Sequence, residues 1–494
     1  MHDLHKRKRT KIVATIGPAS ETPEILRAMI RAGMNVARIN FSHGDHETHG
    51  RRIDLIRQIA EEERQVVAIL ADIQGPKIRI GTVAHEPRTL VVGDIVTFTL
   101  DEVPGEDFTF TLPHPEFIQD LKPGTRLLID DGNIAMDVID TFPRSITCRV
   151  TVPGDLRSRK GVSAPNAKLS FSAITPKDRE DVRFAIEKDV DFIAMSFVRN
   201  ANDIEQMRWL IDFIGGSKRR EDQVKIIAKI ELQDALDNLE SIVREADGIM
   251  VARGDLGVET PAERVPYEQK RMIRLCNQVG KPVITATQML ESMRSSPRPT
   301  RAEASDVYNA ILDGTDAVML SAESANGSYP VEAVSTMATI ALAAEEYVFS
   351  NRNLATFNPF NHVQTDKVDL ISDAMGSVVV AMSELIKPTA IVTTTISGYT
   401  TMKVAKERPV TPILCATPRE RTYRSMALVW GVTPMLVPEY NGIDEMLSTI
   451  ARAAYEAGYV KKNDILVVLA GVPFSLKGNT NLLKVHRVGE IGEL

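Results

Sequence analysis

The sequence predicts an α/β protein built from a (β/α)8 barrel, an all-β lid domain inserted into that barrel, and a C-terminal open α/β sheet domain. Three observations lead to this prediction. Eight short apolar runs alternate with helical windows, the stretch between the third and fourth runs resembles an all-β unit, and a second series of apolar runs follows near the C-terminus. Because one hydrophobic core cannot serve 494 residues, separate domains are expected.

The barrel strands are predicted from runs that are apolar along their length, as buried parallel strands are. These runs are residues 11–16, 36–42, 66–73, 191–198, 225–231, 248–255, 282–288 and 317–321. Helical windows lie between them, for example at 23–32, 178–188, 262–279 and 301–312. Eight strands alternating with helices predict a closed barrel with functional groups at the C-terminal strand ends. We assign residues 1–74 and 170–345 to this catalytic domain.

Two further domains are predicted from changes in the pattern. Residues 75–169 alternate Val, Thr and Phe between Pro-Gly and Asp-Gly turns, which favours an all-β lid; an insertion without a gating role is the alternative. Residues 346–494 carry four apolar runs (AIVTTT, PILCAT, TPMLVP and DILVVLAG) alternating with helical windows. This predicts an open, mostly parallel sheet for the C-terminal domain.

Composition limits the function classes. The hydrophobic content of 43% and charged content of 25% are typical of a globular protein in water, and the net charge of −7 disfavours a nucleic-acid partner. The basic run HKRKR at residues 5–9 is interpreted as a solvated tail. Cys148, Cys276 and Cys415 form no close pair, and no run is long enough to span a membrane. We therefore expect a cytoplasmic protein without membrane contact.

Charged residues end two of the apolar runs, KIIAKIE (225–231) and GIMVARGDLG (248–257). Strand alternation places Lys229 and Glu231 on one face, and Arg253 and Asp255 likewise on one face. Glu231 and Asp255 are suitable ligands for Mg²⁺ or Mn²⁺, while Lys229 could stabilise negative charge on a substrate oxygen. A buried Lys–Glu ion pair without catalytic use is the structural alternative.

Polar side chains also follow other predicted barrel strands. In VARINFS, Arg38, Asn40 and Ser42 share one face, where an arginine and two neutral oxygen donors could hold a phosphate and a cation. The remaining polar residues at strand ends are Asp72, Lys77, Arg79 and Thr287. Convergence of several strands at one barrel mouth favours a functional site over a polar rim.

Seven motifs occur in an order that resembles the pyruvate kinase family. They are NVARINFSHG, GPKIRIG, KIIAKIE, MVARGDLGVE, TATQMLESM, PRPTRAEASDV and LSAES. The resemblance covers nearly the whole chain. It implies transfer of the phosphoryl group of phosphoenolpyruvate to ADP, giving pyruvate and ATP, with Mg²⁺ or Mn²⁺ as cofactor and a homotetramer as the assembly.

The resemblance also implies roles for individual residues. It implies that Lys229, Arg38 and Thr287 are catalytic; that Arg38, Lys229, Gly254, Asp255 and Thr287 bind substrate; that Glu231 and Asp255 bind the divalent metal; and that Asn40, Ser42, His43, Arg79 and Lys160 bind nucleotide. Lys160 lies in RKGVSAPN, where the family usually has KGVNLPG, so the contacts of this loop are left open.

A departure from the family pattern concerns monovalent cations. Lys77 stands where many relatives have a glutamate, and Ile73 where they often have threonine. Relatives with the glutamate tend to require K⁺, held by residues equivalent to Asn40, Ser42, Asp72 and the Ile73 carbonyl. A fixed ammonium at Lys77 could replace that charge, so we expect that K⁺ is not required.

A hydroxyl-rich loop, TTTISGYT at residues 393–400, follows a predicted strand and opens a helix. Hydroxyls and amides at a helix N-terminus can bind anions, although Ser and Thr are also ordinary helix caps. The loop resembles the effector-phosphate loop of allosteric pyruvate kinases. We expect Thr395, Ser397, Gly398 and Thr400 to bind a sugar-phosphate or nucleotide effector.

Two other functional classes fit the same strand-end residues. In a barrel lyase or aldolase, Lys229 would form a Schiff base or a metal at Glu231 and Asp255 would stabilise an enolate. A non-enzymatic binding module is the third hypothesis, and it poorly explains a carboxylate pair beside a lysine. The lid, Arg38 and Lys160 favour two phosphorylated substrates and hence phosphotransfer.

Overall fold

The computed structural model describes residues 4–165, 167–216, 222–351, 367–473 and 479–490. Strands and helices are numbered along the chain. The barrel strands are β1 (Lys11–Thr15), β2 (Val36–Asn40), β3 (Ala68–Asp72), β12 (Phe192–Met195), β13 (Lys225–Ile230), β14 (Gly248–Ala252), β15 (Val283–Ala286) and β16 (Ala317–Leu320). They pair in parallel in the closed order β1-β16-β15-β14-β13-β12-β3-β2. The predicted barrel is confirmed, and all eight predicted runs contain one of its strands.

Helices cover the outside of the barrel. They are α1 (Pro23–Ala32), α2 (His46–Glu62), α4 (Pro176–Glu187), α5 (Ala201–Gly215), α6 (Gln233–Asp237), α7 (Leu239–Glu245), α8 (Arg253–Glu259), α9 (Val265–Val279), α10 (Arg301–Leu312), α11 (Ala322–Ala325) and α12 (Pro330–Ser350). Thr175 and Thr300 begin α4 and α10 with capping boxes. In each, the threonine hydroxyl and a carboxylate three residues later satisfy amides that the helix leaves unpaired.

The inserted lid is an all-β unit with one short helix, α3 (Pro115–Asp120). Its strands are β4 (Arg88–Leu90), β5 (Ile95–Thr99), β6 (Thr109–Thr111), β7 (Arg126–Ile129), β8 (Ile134–Phe142), β9 (Ser145–Val152), β10 (Gly154–Leu156) and β11 (Val162–Ser163). Six of them form a sheet in the order β11-β7-β8-β9-β5-β6, and β10 pairs with β4. Buried residues such as Phe98, Phe110 and Phe117 give the lid a separate core.

The C-terminal domain is a five-stranded sheet with helices. Its elements are α13 (Lys367–Ile386), β17 (Ala390–Thr394), α14 (Tyr399–Ala405), β18 (Ile413–Thr417), α15 (Glu420–Ser425), β19 (Val432–Leu436), α16 (Ile443–Glu456), β20 (Ile465–Ala470) and β21 (Leu482–Arg487). The four predicted strands pair in parallel, and the edge strand β21, which the sequence patterns did not reveal, pairs antiparallel with β20.

The C-terminal domain closes the base of the barrel, where the strands begin. A 3-10 helix, Met426–Leu428, places Ala427 and Leu428 in the apolar cluster that fills the barrel interior. Beside this plug, the buried carboxylate of Asp191 pairs with Arg57 of the barrel at 2.8 Å and with Arg424 of α15 at 2.7 Å. The two domains therefore share both apolar and ionic contacts.

The N-terminal segment also packs at the base. Arg9 is 4% exposed, and the main-chain amides of Arg9 and Thr10 donate to the Glu345 carboxylate of α12 at 2.8 and 2.6 Å. The interpretation of residues 5–9 as a solvated tail is therefore wrong for the end of the run, because a buried glutamate anchors it. No helix within the described ranges is both long and apolar enough to cross a membrane.

Candidate active site

Four charged side chains form a buried cluster at the C-terminal ends of β2, β3 and β13. The Lys229 ammonium lies 2.8 Å from Glu231 Oε1 and 3.2 Å from Asp72 Oδ1, and it donates to Ser196 Oγ at 2.6 Å. Arg38 Nε donates to the other oxygen of Asp72 at 2.7 Å. Two cations and two carboxylates thus neutralise each other at the barrel mouth. Buried charges need such pairing because their removal from water is costly.

This cluster sets the protonation of its members. Burial would lower the pKa of Lys229, but the negative charges of Asp72 and Glu231 outweigh it and the pKa is raised. Burial would raise the pKa of Asp72, yet Lys229 and Arg38 hold it below its usual value. Burial raises the pKa of Glu231 despite the Lys229 charge, and the negative charge of Asp255 adds to the effect. Lys229 is therefore a permanent cation at the mouth.

Two hydroxyls that orient the cations were not predicted from the sequence. Thr15 Oγ1 accepts from Arg38 Nη1 at 2.9 Å and donates to a main-chain carbonyl of β16. Ser196 Oγ accepts from Lys229 and donates to the Ile73 carbonyl at 2.8 Å. Thr15 ends β1 and Ser196 directly follows β12, so the rule that polar residues at barrel strand ends line the mouth could have found both.

The predicted face shared by Arg253 and Asp255 is wrong. Strand β14 stops at Ala252 and α8 begins at Arg253, so the two-residue alternation of a strand does not apply. The Arg253 guanidinium turns outward to Asp306 at 2.8 Å and to the Thr287 carbonyl at 2.7 Å. It therefore braces the wall of the mouth instead of joining the charge cluster.

Two carboxylates at the mouth fit a hard divalent cation. Glu231 is 1% exposed and accepts from the Phe197 amide at 2.8 Å, whereas Asp255 is exposed at the start of α8. Both line one cleft between barrel and lid, and Asp255 contributes to the electrostatic environment of Glu231. No group of three or more metal-binding side chains occurs in the described part of the chain. A Mg²⁺ site with one or two carboxylates, completed by substrate oxygens and water, remains compatible with this donor set.

Thr287 and Gly254 form a contact between the ends of β15 and β14. Gly254 N donates to Thr287 Oγ1 at 2.8 Å, and that hydroxyl donates to the Ala286 carbonyl at 2.6 Å. Thr287 has a φ of 68°, which is strained for a β-branched residue. Strain of this kind is found where the surrounding structure fixes a side chain in place, as at active sites.

The loop after β2 is braced from α4. Asn40 Oδ1 accepts from the Ser42 amide at 3.1 Å, so these two residues form a turn, and His43 beyond it is exposed. Lys177 donates to the Phe41 carbonyl at 2.8 Å and pairs with Asp181 at 2.6 Å. The amino-acid sequence offered no signal for this brace, because Lys177 looks like any lysine on a helix surface.

Arg79, Lys160 and Lys77 lie where the lid joins the barrel. Arg79 pairs with Gly161 in a β-bridge and donates to the Arg159 carbonyl at 2.9 Å. The Lys160 ammonium pairs with Asp130 of the lid at 2.7 Å. Lys77 is half-buried and lines the same cleft as Glu231 and Asp255. The structure thus brings Lys77 to the carboxylate side of the mouth, and Arg79 and Lys160 to the lid side.

The loop after β17 is tightly hydrogen-bonded. Thr395 Oγ1 accepts from the Gly398 amide at 2.9 Å, and the buried Thr400 hydroxyl contacts that of Thr480 at 3.0 Å. Ser397 is half-buried. The four residues predicted to bind an effector therefore lie together, with two of their hydroxyls already in contact with the protein.

Comparisons with known proteins agree with this geometry. Models of the pyruvate kinase barrel domain and of the pyruvate kinase alpha/beta domain match residues 7–334 and 373–486. A pyruvate kinase of Geobacillus stearothermophilus is 46% identical over 98% of this chain and 81% of its own length. One of Clostridium acetobutylicum is 44% identical over 97% of this chain and 100% of its own length. The crystal structure of a pyruvate kinase from Cryptosporidium parvum has a TM-score of 0.87 at 35% identity, covering 98% of this chain and 97% of that one.

A β/α barrel with a lysine and carboxylates at its mouth, together with these relatives, defines the chain as a phosphotransferase. The family follows from two findings. The strand-end motifs lie within the residues that the family models match, and the match to relatives covers almost the entire chain. The chain belongs to the pyruvate kinase family.

Proposed function

We propose that this chain transfers the phosphoryl group of phosphoenolpyruvate to ADP with Mg²⁺ or Mn²⁺ but without a requirement for K⁺, under control of a phosphorylated metabolite. The observation that carries the proposal is the ion-paired cluster of Lys229, Glu231, Asp72 and Arg38. Phosphoryl transfer depends mainly on positioning and charge neutralisation, which such a cluster supplies.

In the proposed mechanism, Arg38 and Lys229 bind the phosphoryl oxygens of phosphoenolpyruvate. Departure of the phosphoryl group leaves negative charge on the enolate oxygen, which the Lys229 ammonium stabilises. Gly254, Asp255 and Thr287 border the carboxylate end of the substrate. The Thr287 hydroxyl, already bonded to Gly254 and Ala286, relays the proton that converts the enolate to pyruvate.

Glu231 and Asp255 would hold the divalent metal, which when bound neutralises phosphate charge. Nucleotide contacts are proposed for the turn after β2 and for the lid. The residues are Asn40, Ser42, His43, Arg79 and Lys160. Because Lys160 and Arg79 lie on the lid side of the cleft, binding of ADP would draw the lid toward the barrel.

The proposed independence from K⁺ gives a direct assay of the function. Lys77 lines the cleft with Glu231 and Asp255, so its ammonium adds a positive charge beside the two carboxylates. A lactate dehydrogenase-coupled assay with phosphoenolpyruvate, ADP and Mg²⁺ should give turnover in Na⁺ or Tris buffer that changes less than about twofold with K⁺. Lys77→Glu should lose at least about tenfold without K⁺ and regain activity with it, because one charge at short range is worth more than about 1 kcal/mol.

Lys122→Glu, a similar charge reversal at an exposed lid position, should not create a response to K⁺. Severalfold stimulation of the unmodified enzyme by K⁺ would contradict the proposed role of Lys77. No turnover at all with phosphoenolpyruvate and ADP, in either buffer, would contradict the function itself.

Control by a sugar phosphate or nucleotide is proposed for the loop containing Thr395, Ser397, Gly398 and Thr400. The Thr422 hydroxyl of α15 donates to the Ile396 carbonyl at 2.7 Å, so this loop packs on the helix that leads into the barrel plug. Replacing Ser397 and Thr400 with alanine should remove activation by phosphorylated metabolites while basal kcat is retained. Titration of each metabolite in the coupled assay measures this, and activation that survives the double substitution would refute the assignment.

We also propose a homotetramer that acts in the cytoplasm. Large apolar side chains of α13 are exposed in the single chain, with Leu370 at 54%, Ile371 at 56% and Leu385 at 83%. An exposed apolar helix face of this kind favours contact with another protein surface.

A further inference from the structure

A cavity of about 490 Å³ lies at the base of the molecule, between the barrel and the C-terminal domain. We call it the basal cavity. The N-terminal segment from Lys6 to Lys11 contributes five cationic side chains to its lining, and Arg31 and Arg64 contribute two more. Among its described lining residues Glu63 is the single carboxylate. The cavity therefore has a large excess of positive charge in a protein whose net charge is −7.

The nearby carboxylates are already engaged. Glu63 pairs with Arg31 at 2.7 Å and with Arg27 at 3.1 Å. Glu345 uses its oxygens to accept the main-chain amides of Arg9 and Thr10. Within the described ranges, no carboxylate lies at ion-pair distance from Lys8, Lys11 or Arg64. The charge of these three side chains is therefore not balanced by a direct partner.

Three of the cationic side chains are held in place: Arg9 and Lys11 are buried, and Lys8 is half-buried. Lys11 is 6% exposed, and its ammonium donates to the Val432 carbonyl at 2.6 Å. Lys8 donates to Thr10 O and to Asn35 Oδ1. The buried Nε of Arg9, which lines the cavity, has no hydrogen-bond partner among the described residues. Unpaired buried polar atoms are costly, and an additional ligand would relieve that cost.

The positive charges of the basal cavity also affect one another's pKa values. Burial lowers the pKa of Lys11, and the positive charges of Lys8, Arg9 and Arg7 lower it further. Burial lowers the pKa of Lys8 to about 7, against the opposing effect of Glu345. A group of like charges that repel one another in a partly desolvated cavity binds anions well, since the anion removes the repulsion.

We propose that the basal cavity binds a small molecule bearing several phosphate groups. Its volume is within the range of small-molecule sites. Arginine side chains suit phosphate because their planar fork donates two hydrogen bonds at once. One wall comes from the barrel, through Arg31 and Arg64, and the other from the C-terminal domain, through Thr433 and Tyr459. The ligand would therefore tie the two domains together.

This site is distinct from the others in the chain. The barrel mouth lies at the opposite ends of the strands, and the described lining of the basal cavity contains neither Ser397 nor Thr400. The proposal does not depend on phosphotransfer activity or on the effector loop. Binding of a ligand to the basal cavity can be measured without any enzymatic turnover.

Thermal unfolding with inorganic tripolyphosphate, in the absence of divalent metal, tests the proposal. Sodium sulfate at equal ionic strength serves as the reference. Tripolyphosphate should raise the Tm of the unmodified chain in a saturable manner, since a ligand that binds the folded state stabilises it. The double variant Arg7→Gln with Arg64→Gln should bind at least about tenfold more weakly, because two charge-assisted contacts are lost.

Two control variants locate the effect. Arg179→Gln with Arg183→Gln removes the same charge from the exposed face of α4, and Ser397→Ala with Thr400→Ala alters the effector loop. Both should keep the tripolyphosphate response within about twofold of the unmodified chain. An equal response in the Arg7 and Arg64 variant, or a loss of response only in the effector-loop variant, would overturn the proposal.

Proton uptake on binding provides a second test. Burial lowers the pKa of Lys8 to about 7, and a phosphate group bound beside it would raise that pKa, so binding above pH 7 would take up a proton. Charged and titratable groups facing Lys8 come from its own segment, α1, the end of α2, α12 and the C-terminal domain. They are Arg7, Arg9, Lys11, Arg31, Glu63, Arg64, Glu345, Tyr423 and Tyr459.

Tripolyphosphate exchanges protons of its own in this pH range, and the Lys8→Met variant measures that share. Calorimetry in two buffers of different ionisation enthalpy should show more proton uptake by the unmodified chain than by this variant at pH 8, and a smaller difference at pH 6. Equal proton uptake by the two proteins at both pH values would contradict the participation of Lys8. Absence of saturable binding at either pH would overturn the site.

Discussion

Replacing Lys229 with methionine should reduce kcat on the order of a thousandfold or more, because loss of one donor to developing negative charge already costs about 100- to 1,000-fold and Lys229 carries a full charge. Its ammonium lies between Glu231 and Asp72, with Ser196 as a third contact, so no neighbouring cation can move into its place. Arg38 is already paired with Asp72. The coupled assay with saturating substrates measures the loss.

The folded state of this variant must be checked, since Glu231 would lose its cation. Removal of one member of a buried ion pair costs about 3 kcal/mol or more, and far-UV circular dichroism with a thermal scan would detect unfolding. Lys229→Arg restores the charge and should recover stability, but it should not recover turnover because the guanidinium has another shape. Lys188→Met, at a surface ion pair with Asp54, should leave kcat unchanged. Turnover of a folded Lys229→Met variant above about a tenth of the original would exclude the proposed role.

Asp191→Asn should destabilise the protein by about 3 kcal/mol, the largest effect on stability that we expect outside the barrel mouth. Asp191 is fully buried and pairs with Arg57 and Arg424, and one of its oxygens also accepts the Ile69 amide at 2.8 Å. Asparagine can keep the bond to the amide, but it removes the counter-charge of Arg57 and leaves Arg424 with the more exposed carboxylates of Asp189 and Glu420. Urea unfolding followed by fluorescence and circular dichroism would measure the change.

Asp189 provides a matched control for this substitution. It pairs with Arg421 and Arg424 of the same helix, but its side chain is 57% exposed. Asp189→Asn should cost less than about 1 kcal/mol, because exposed ion pairs contribute little. Equal destabilisation by the two substitutions would mean that burial of Asp191 is not the reason for its effect.

The barrel could be predicted from the sequence because each strand is buried on both faces and so appears as an apolar run. Lys229 and Glu231 were placed together for the same reason, since alternation holds within β13 and one residue beyond. The alternation rule failed at Arg253, where a helix begins directly after β14. The packing of neighbouring elements decides where a strand ends. A local sequence pattern contains no information about that packing.

Contacts between distant elements were not predictable from local patterns. Asp72 pairs with Lys229, yet β3 and β13 are separated in the barrel by β12. Strand β21 was missed because LLKVHR alternates weakly and pairs at an edge. The basic run at residues 5–9 gave no sign that a glutamate of α12 would anchor its end. Two of these contacts join residues far apart in the chain, and Arg9 and Glu345 are separated by 336 positions.

The plug formed by Ala427 and Leu428 has a consequence for recombination between relatives. A chain that ended after α12 would lack Ala427 and Leu428 in the apolar cluster of the barrel interior and would leave the base of the barrel open to water. An exchanged C-terminal domain would have to bring a small and a branched apolar residue to the same point of its 3-10 helix. The two domains are separate in architecture, but we expect a functional hybrid only when the residues on both sides of this contact match.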